Sequence, residues 1–166
     1  VDYDVIVAGG GVSGLIAAKE IASAGLNVIV LEEDFEIGIP EKCGGLVSMR
    51  ALTSLGLIPS PRIVRNEVKR AIISSPLGEK AEVEAIKQNI IVIDRREFDR
   101  ELARFAISHG AIVEVGEKIL NVEAEDKLVR VKTNKHELSA RIFVEARGTS
   151  SLMQSYQSGL LQAAQY

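Results

Sequence analysis

Apolar positions at the start of the chain follow a strand–helix–strand rhythm. The run Val5-Ile6-Val7-Ala8 is continuous and short, which predicts a buried strand over 4–8. Glycines follow it, and the Ala-, Leu- and Ile-rich stretch over 13–24 predicts a helix stopped by Gly25. Asn-Val-Ile-Val-Leu over 27–31 predicts a second strand, apolar on both faces as central parallel strands are. The three elements fit within about 30 residues, the size of a βαβ unit.

The pattern then changes. Residues 34–45 mix Gly, Pro and charges and predict an irregular loop, followed by a short helix over 46–55 closed by Gly56. Short strands are expected over 68–74, 81–85 and 90–93, with Pro76-Leu77-Gly78 as a turn. A second clear helix is expected over 94–108. Phe98, Leu102, Phe105 and Ala106 recur at helical spacing, Asp94 serves as N-cap with Glu97 three residues on, and Gly110 ends it. Strands over 111–115, 119–124, 128–133 and 142–145 complete an α/β chain.

Composition removes several function classes. A net charge of -3 and the absence of Trp leave neither a basic footprint nor a stacking surface for nucleic acid. A single cysteine, Cys43, forbids an internal disulfide and favours a reducing, cytoplasmic compartment. The apolar stretch over 5–18 is interrupted by Gly9, Gly10, Gly11, Ser13 and Gly14, so it predicts no membrane span. A peripheral membrane contact through chain beyond this segment is compatible with that. The 19 residues over 148–166 carry no charged side chain, an expectation for a segment packed under further chain. The domain reading is therefore a nucleotide-binding domain over 1–150, with β segments inserted at about 60–93, and the start of a substrate domain over 151–166.

The chemistry begins at Gly9-x-Gly11-x-x-Gly14, which leaves the first strand and opens the first helix. In that context the spacing is the dinucleotide fingerprint. Gly9 permits the tight turn, Gly11 lets a pyrophosphate approach the backbone, and Gly14 lets helix and strand pack closely. Val12, Ser13 and Gly14 then offer helix N-terminal N–H groups to the phosphates. Glu32 stands 18 residues after Gly14, at the end of the second strand. A carboxylate there accepts from adenosine ribose hydroxyls and repels a 2′-phosphate, which favours FAD or NAD over NADP. Glu33 is the alternative acid one position on. The bland reading, a tight βα turn with a solvated acidic cluster, leaves the agreement of strand, spacing, helix and acid unexplained.

A nicotinamide-binding domain continues with alternating helices and strands. Here a long loop and several β segments intervene, as in FAD-binding folds of the glutathione-reductase type. Pro40-Glu41-Lys42-Cys43-Gly44-Gly45-Leu46 resembles the signature loop of the geranylgeranyl reductase family, flavoenzymes that saturate isoprenoid double bonds. The opening Asp4-Val5-Ile6-Val7-Ala8-Gly9-Gly10-Gly11 and the stretch Asp94-Arg95-Arg96-Glu97-Phe98-Asp99 are similar to that family too, and Ala163-Ala164-Gln165-Tyr166 resembles its crossing into the substrate domain. The resemblance runs through essentially the whole chain, but through only the first part of a family member's length.

It implies a Rossmann-like α/β fold with a parallel central sheet, FAD as cofactor, an isoprenoid or prenyl-lipid substrate and an electron donor. It also implies that the loop holding Lys42, Cys43, Gly44 and Gly45 lies beside the flavin, and that Arg95 contributes from a helix start. At Ala146-Arg147-Gly148-Thr149-Ser150-Ser151, Gly148 and Ser151 match the Ala-Asp-Gly-x-x-Ser of the wider flavoprotein group, while Arg147 replaces the acid. That departure weakens the alternative reading as an aromatic-hydroxylase type monooxygenase. A non-catalytic nucleotide-binding module is the third reading.

Cys43 is the candidate catalytic residue, against a structural reading as a small residue in a tight spot. Without a second cysteine, dithiol exchange is ruled out. The histidines, His109 and His136, lie far apart in sequence and predict surface positions and no metal site.

Overall fold

The computed structural model describes residues 1–41, 43–84 and 89–148. Lys42, the end of the strand expected over 81–85, and the uncharged tail with Ser151 and Ala163 to Tyr166 lie outside the described residues. In chain order the elements begin with β1 (Tyr3–Ala8), α1 (Val12–Ser23), β2 (Val28–Glu32), β3 (Leu46–Ser48) and α2 (Met49–Ser54). Then come β4 (Val64–Val68), β5 (Arg70–Ser74), β6 (Lys80–Glu84), β7 (Ile90–Ile93) and α3 (Arg95–Ser108). The chain continues through β8 (Ile112–Val115), β9 (Ile119–Ala124), β10 (Val129–Thr133) and β11 (Glu137–Glu145). These fall into two compact units, residues 1–40 with 99–148, and residues 41–98.

The first unit is built on a six-stranded sheet in the order β8-β2-β1-β11-β10-β9. β8, β2, β1 and β11 run parallel, while β10 and β9 continue antiparallel. Successive side chains of a strand face opposite ways, and β1 buries both sets. Val5 and Val7 pack with Val28 and Val30 of β2, Ala18 and Ala22 of α1 and Ala106 of α3. Ile6 and Ala8 pack on the other side with Ile29, Leu31, Ile119, Val131 and Ala140. Burial on both faces is why the first two strands read as unbroken apolar runs.

β11 is nine residues long, where the sequence predicts only its last part. Its first half alternates with polar residues because it pairs antiparallel with β10. From Ala140 onward it pairs parallel with β1, and Ala140 sits opposite both Tyr3 and Val129.

The expected helix over 94–108 is α3, but its buried arc differs. Phe98, Asp99, Leu102, Ala103 and Ala106 are buried, whereas Phe105 is 46% exposed. At about 100° per residue, position 105 falls roughly 20° outside the edge of the arc set by Phe98.

The second unit holds an antiparallel sheet in the order β3-β7-β4 and the hairpin β5-β6. The expected helix over 46–55 is half strand: Leu46 to Ser48 pair with β7, and Ser48 then caps α2, its hydroxyl accepting from the Ala51 N–H at 3.3 Å. The expected strand over 68–74 is divided at Lys69. β4 pairs with β7 and β5 with β6, so the two halves serve different sheets. The predicted turn is present, with Gly78 at φ +88° and its N–H donating to Ser75 O at 3.0 Å.

Candidate nucleotide site

In the first unit the end of β1 and the start of α1 bring three fingerprint glycines together for three different physical reasons. Gly9 has φ +104°, and a Cβ there would lie 2.6 Å from the carbonyl oxygen of Ala146, just past the end of β11. It therefore serves both the turn and the close approach of a neighbouring strand. Gly14 is buried in α1 against the carbonyl of Gly9 and against Val7 Cγ1, so any side chain would push the helix off the strand. Gly11 is different: among the described residues, a Cβ there would meet no atom within 4 Å. Its φ of -82° is open to any residue, so neither strain nor protein packing requires a glycine there.

Gly11 is also the N-cap of α1 and supplies no side-chain hydrogen bond to it. The first N–H groups of a helix have no partner within the helix. Here they run through Val12, Ser13 and Gly14, with Ser13 exposed and no acid in the first turn. Uncapped N–H groups, a positive dipole end and unfilled space at Gly11 make an anion cradle.

Glu32 closes the same site from β2. Its Oε2 accepts from the Gly10 N–H at 2.6 Å and its Oε1 from the Asp34 N–H at 3.0 Å. The carboxylate is thereby fixed beside the glycine turn, and each oxygen keeps a further lone pair for another donor. Gly10, between the fingerprint positions, has a steric role of its own. A Cβ there would lie 2.6 Å from Ile37 Cδ1 and 3.1 Å from the Glu32 side chain, so its smallness admits the acid. Glu33 is directed elsewhere, 3.8 Å from Lys118 Nζ.

At the end of β11, Arg147 forms a fork with Glu145, with Nε–Oε1 at 2.9 Å and Nη2–Oε2 at 2.5 Å. The acid missing at 147 is thus present two residues earlier, in ion pairing with the arginine that replaces it. Gly148 follows at φ +59°, exposed.

In the second unit, Gly45 is buried with φ +74°, tight against the carbonyl of Ile93, and its own carbonyl accepts the Ile93 N–H at 2.9 Å. This ties the loop of Cys43 and Gly44 to the end of β7, from which the chain runs through Asp94 into Arg95. Cys43 is a free, exposed thiol, Gly44 is exposed, and Arg95 is half-buried in the first turn of α3. Asp94 caps that turn as predicted, accepting from the Glu97 N–H at 2.9 Å, and also takes Arg65 Nη2 at 2.5 Å. These two contacts, the Arg65 hydrogen bond first, hold the Asp94 carboxyl below the usual aspartate range.

The histidines separate. His109 is exposed at the end of α3, as expected. His136 is exposed as well, but the fold brings it to two acids that its sequence position did not suggest. Ligating atoms of Glu114, Glu117 and His136 all lie within 4.8 Å of one another. Glu117 is 1% exposed, with Thr133 Oγ1 donating to it at 2.7 Å and Lys135 Nζ lying 3.1 Å away. No local pattern marks this group, because Glu114 and Glu117 come from β8 and the turn after it, and His136 from the turn between β10 and β11.

A parallel sheet whose first βα turn is an anion cradle, backed by an acid on the next strand, defines a dinucleotide-binding α/β domain. The chain belongs to the FAD-dependent oxidoreductase family, whose model matches residues 4–157. It is 36% identical over 160 residues to digeranylgeranylglycerophospholipid reductase 1 of Methanopyrus kandleri, covering 90% of this chain and 40% of that protein. It is 30% identical over 158 residues to digeranylgeranylglycerophospholipid reductase of Methanocaldococcus jannaschii, covering 93% and 40% respectively. Among solved structures it resembles a geranylgeranyl bacteriochlorophyll reductase-like protein from Thermoplasma acidophilum. That match has a TM-score of 0.77 and 31% identity, and covers 88% of this chain and 39% of that one. The chain thus spans about 40% of the length of the curated relatives it matches. Among the described residues, no helix is long and apolar enough to cross a membrane.

Proposed function

We propose that this chain is the FAD-binding part, residues 1–150, of an enzyme that reduces carbon–carbon double bonds in the isoprenoid chains of prenyl lipids, with residues 151–166 leading into its substrate domain. The observation that carries the reading is the match along nine-tenths of the chain to reductases named for a digeranylgeranyl phospholipid. The site chemistry agrees with it. Gly11 leaves space where a pyrophosphate meets the helix N-terminus, and Val12, Ser13 and Gly14 supply the N–H groups. Glu32, bonded to the Gly10 N–H, is the carboxylate that would accept from ribose hydroxyls and turn away a 2′-phosphate.

In the second unit, Cys43, Gly44, Gly45 and Arg95 take the flavin-side roles of the family resemblance, together with Lys42. The glycines there keep side chains off a planar ring, and Arg95 offers forked donors. Cys43 would offer its exposed thiol on the flavin side. When bound and reduced, FAD supplies a hydride for one carbon of an isoprenoid double bond, a proton completing the other. The lipid and an electron donor complete the reaction, and a peripheral membrane contact would belong to chain beyond this segment.

The test is to incubate the intact, chemically reduced protein with an unsaturated archaeal-type lipid and weigh the product. Gains of two mass units per bond support the reading. Unchanged lipid, together with hydroxylation of an added phenol under oxygen and a nicotinamide donor, would favour the monooxygenase reading instead.

A further inference from the structure

Glu117 is a buried carboxylate that the nucleotide site does not itself use, yet it is wired to that site by backbone bonds. Its N–H donates to the carbonyl of Glu32 at 2.8 Å, and the Gly116 N–H donates to the carbonyl of Asp34 at 2.9 Å. These bonds extend the β2–β8 pairing, in which Glu32 sits opposite Val115. Asp34 in turn donates its own N–H to Glu32 Oε1. The 116–117 segment is therefore a floor under the main chain of Glu32 and of Asp34, and the Asp34 N–H in turn holds the Glu32 carboxylate.

That floor is anchored from its far side by the turn between β10 and β11. Thr133 Oγ1 donates to Glu117 Oε2 at 2.7 Å while accepting the N–H groups of Lys135 at 3.0 Å and His136 at 2.8 Å. Lys135 Nζ lies 3.1 Å from Glu117 Oε1 and also donates to the carbonyl of Val115 at 3.3 Å. His136 Nε2 is 3.6 Å from the same carboxylate oxygen. Asn134 adds a reciprocal pair with the backbone of Lys118 and donates to the carbonyl of Gly116. A buried carboxylate is retained only where its partners compensate its lost hydration. Here the ammonium of Lys135 supplies the opposite charge and the Thr133 hydroxyl the fixed hydrogen bond.

We infer that Glu117 is a positioning residue for the adenosine end of the nucleotide site, holding Glu32 in place by clamping the 116–117 segment to the Thr133–His136 turn. The inference rests on the FAD reading above and on Glu32 as the ribose acid. A purely structural role would weaken every ligand of the site alike. A positioning role acts only on what Glu32 touches.

The experiment is FAD binding to the intact protein, stripped of nucleotide, with FAD and with FAD built on 2′-deoxyadenosine as paired probes. Glu117→Gln is expected to raise the Kd for FAD about tenfold, within the range of coupled contacts, and to change the Kd for the deoxy analogue much less. In a Glu32→Gln background, Glu117→Gln should add little further loss. Equal losses for both probes, or losses that simply add, would overturn the inference while leaving the FAD reading intact. A wild-type protein that binds both probes equally would overturn the ribose assignment of Glu32 and the inference with it. If Glu117→Gln does not fold, Lys135→Gln carries the same test, because Lys135 is half-exposed and its removal leaves the Thr133 bond in place. The same probe-selective loss is expected, smaller in size, and a probe-independent loss counts against the inference.

Discussion

Glu32 Oε2 lies 2.6 Å from the backbone nitrogen of Gly10, so the acid ending β2 and the turn ending β1 form one hydrogen-bonded unit. A ligand that bridges the anion cradle and the carboxylate meets a site whose two halves are already set against each other. Residues that hold this unit together and residues that leave room for a ligand should respond differently to substitution.

Gly11→Val should abolish FAD binding and leave the fold intact. The position has an ordinary φ and, among the described residues, no atom near a Cβ, so the new side chain would occupy the space assigned to the pyrophosphate. Equilibrium binding and a melting curve check both halves. Retained FAD would remove the basis for the nucleotide assignment.

Gly14→Ala should do the reverse, damaging the protein before the ligand. Its Cβ would run into the carbonyl of Gly9 and lie 3.3 Å from Val7 Cγ1, both in tightly packed chain. Overpacking of this kind costs about 1–3 kcal/mol, and each kcal/mol lowers the melting temperature of a domain this size by roughly 2–4 °C. An unchanged melting temperature would show that α1 can shift away from β1.

Asp94→Ala should destabilise by about 1 kcal/mol, the usual cost of removing an N-cap, whereas Asp94→Asn should cost much less because Asn also caps and the exposed Arg65 pair is worth little. The pH dependence follows from the lowered carboxyl, held down by Arg65 and then by the Glu97 N–H. A carboxyl whose folded pKa is depressed contributes stability above its unfolded value, about 4, and loses it as pH falls through the folded value. The gap between wild type and Asp94→Ala should therefore narrow below about pH 4. Denaturant titrations at neutral and acid pH give the comparison, and a constant gap would contradict the assignment.

Cys43→Ala should leave FAD bound and lower turnover in the intact enzyme. The thiol is exposed and free, so its loss costs little packing. Unchanged turnover would make Cys43 a bystander of the Gly45 anchor.

Legibility in the sequence tracked burial. β1, α1 and β2 were readable because both faces of the strands are covered, so that Val5 to Ala8 and Val28 to Leu31 are apolar without a break. The glycine spacing and the position of Glu32 at the end of β2 were readable because both are set within one βαβ unit. β11 was half hidden because its antiparallel portion has an open face and alternates. The β3–α2 segment was misread because Leu46 to Ser48 owe their strand to β7, more than 40 residues away in sequence. Phe105 was misplaced because helical spacing alone does not say where the buried arc ends. Glu117 was invisible for the same reason on a larger scale: its partners arrive from a separate turn, and an isolated Gly-Glu-Lys gives no sign of burial.

The central claim is the cofactor, and a visible absorption spectrum of the purified intact protein, followed by identification of the nucleotide that heat releases, tests it most directly. The account predicts the two visible bands of oxidised flavin and the release of FAD. A colourless protein that takes up NAD and not FAD when each is added would contradict it.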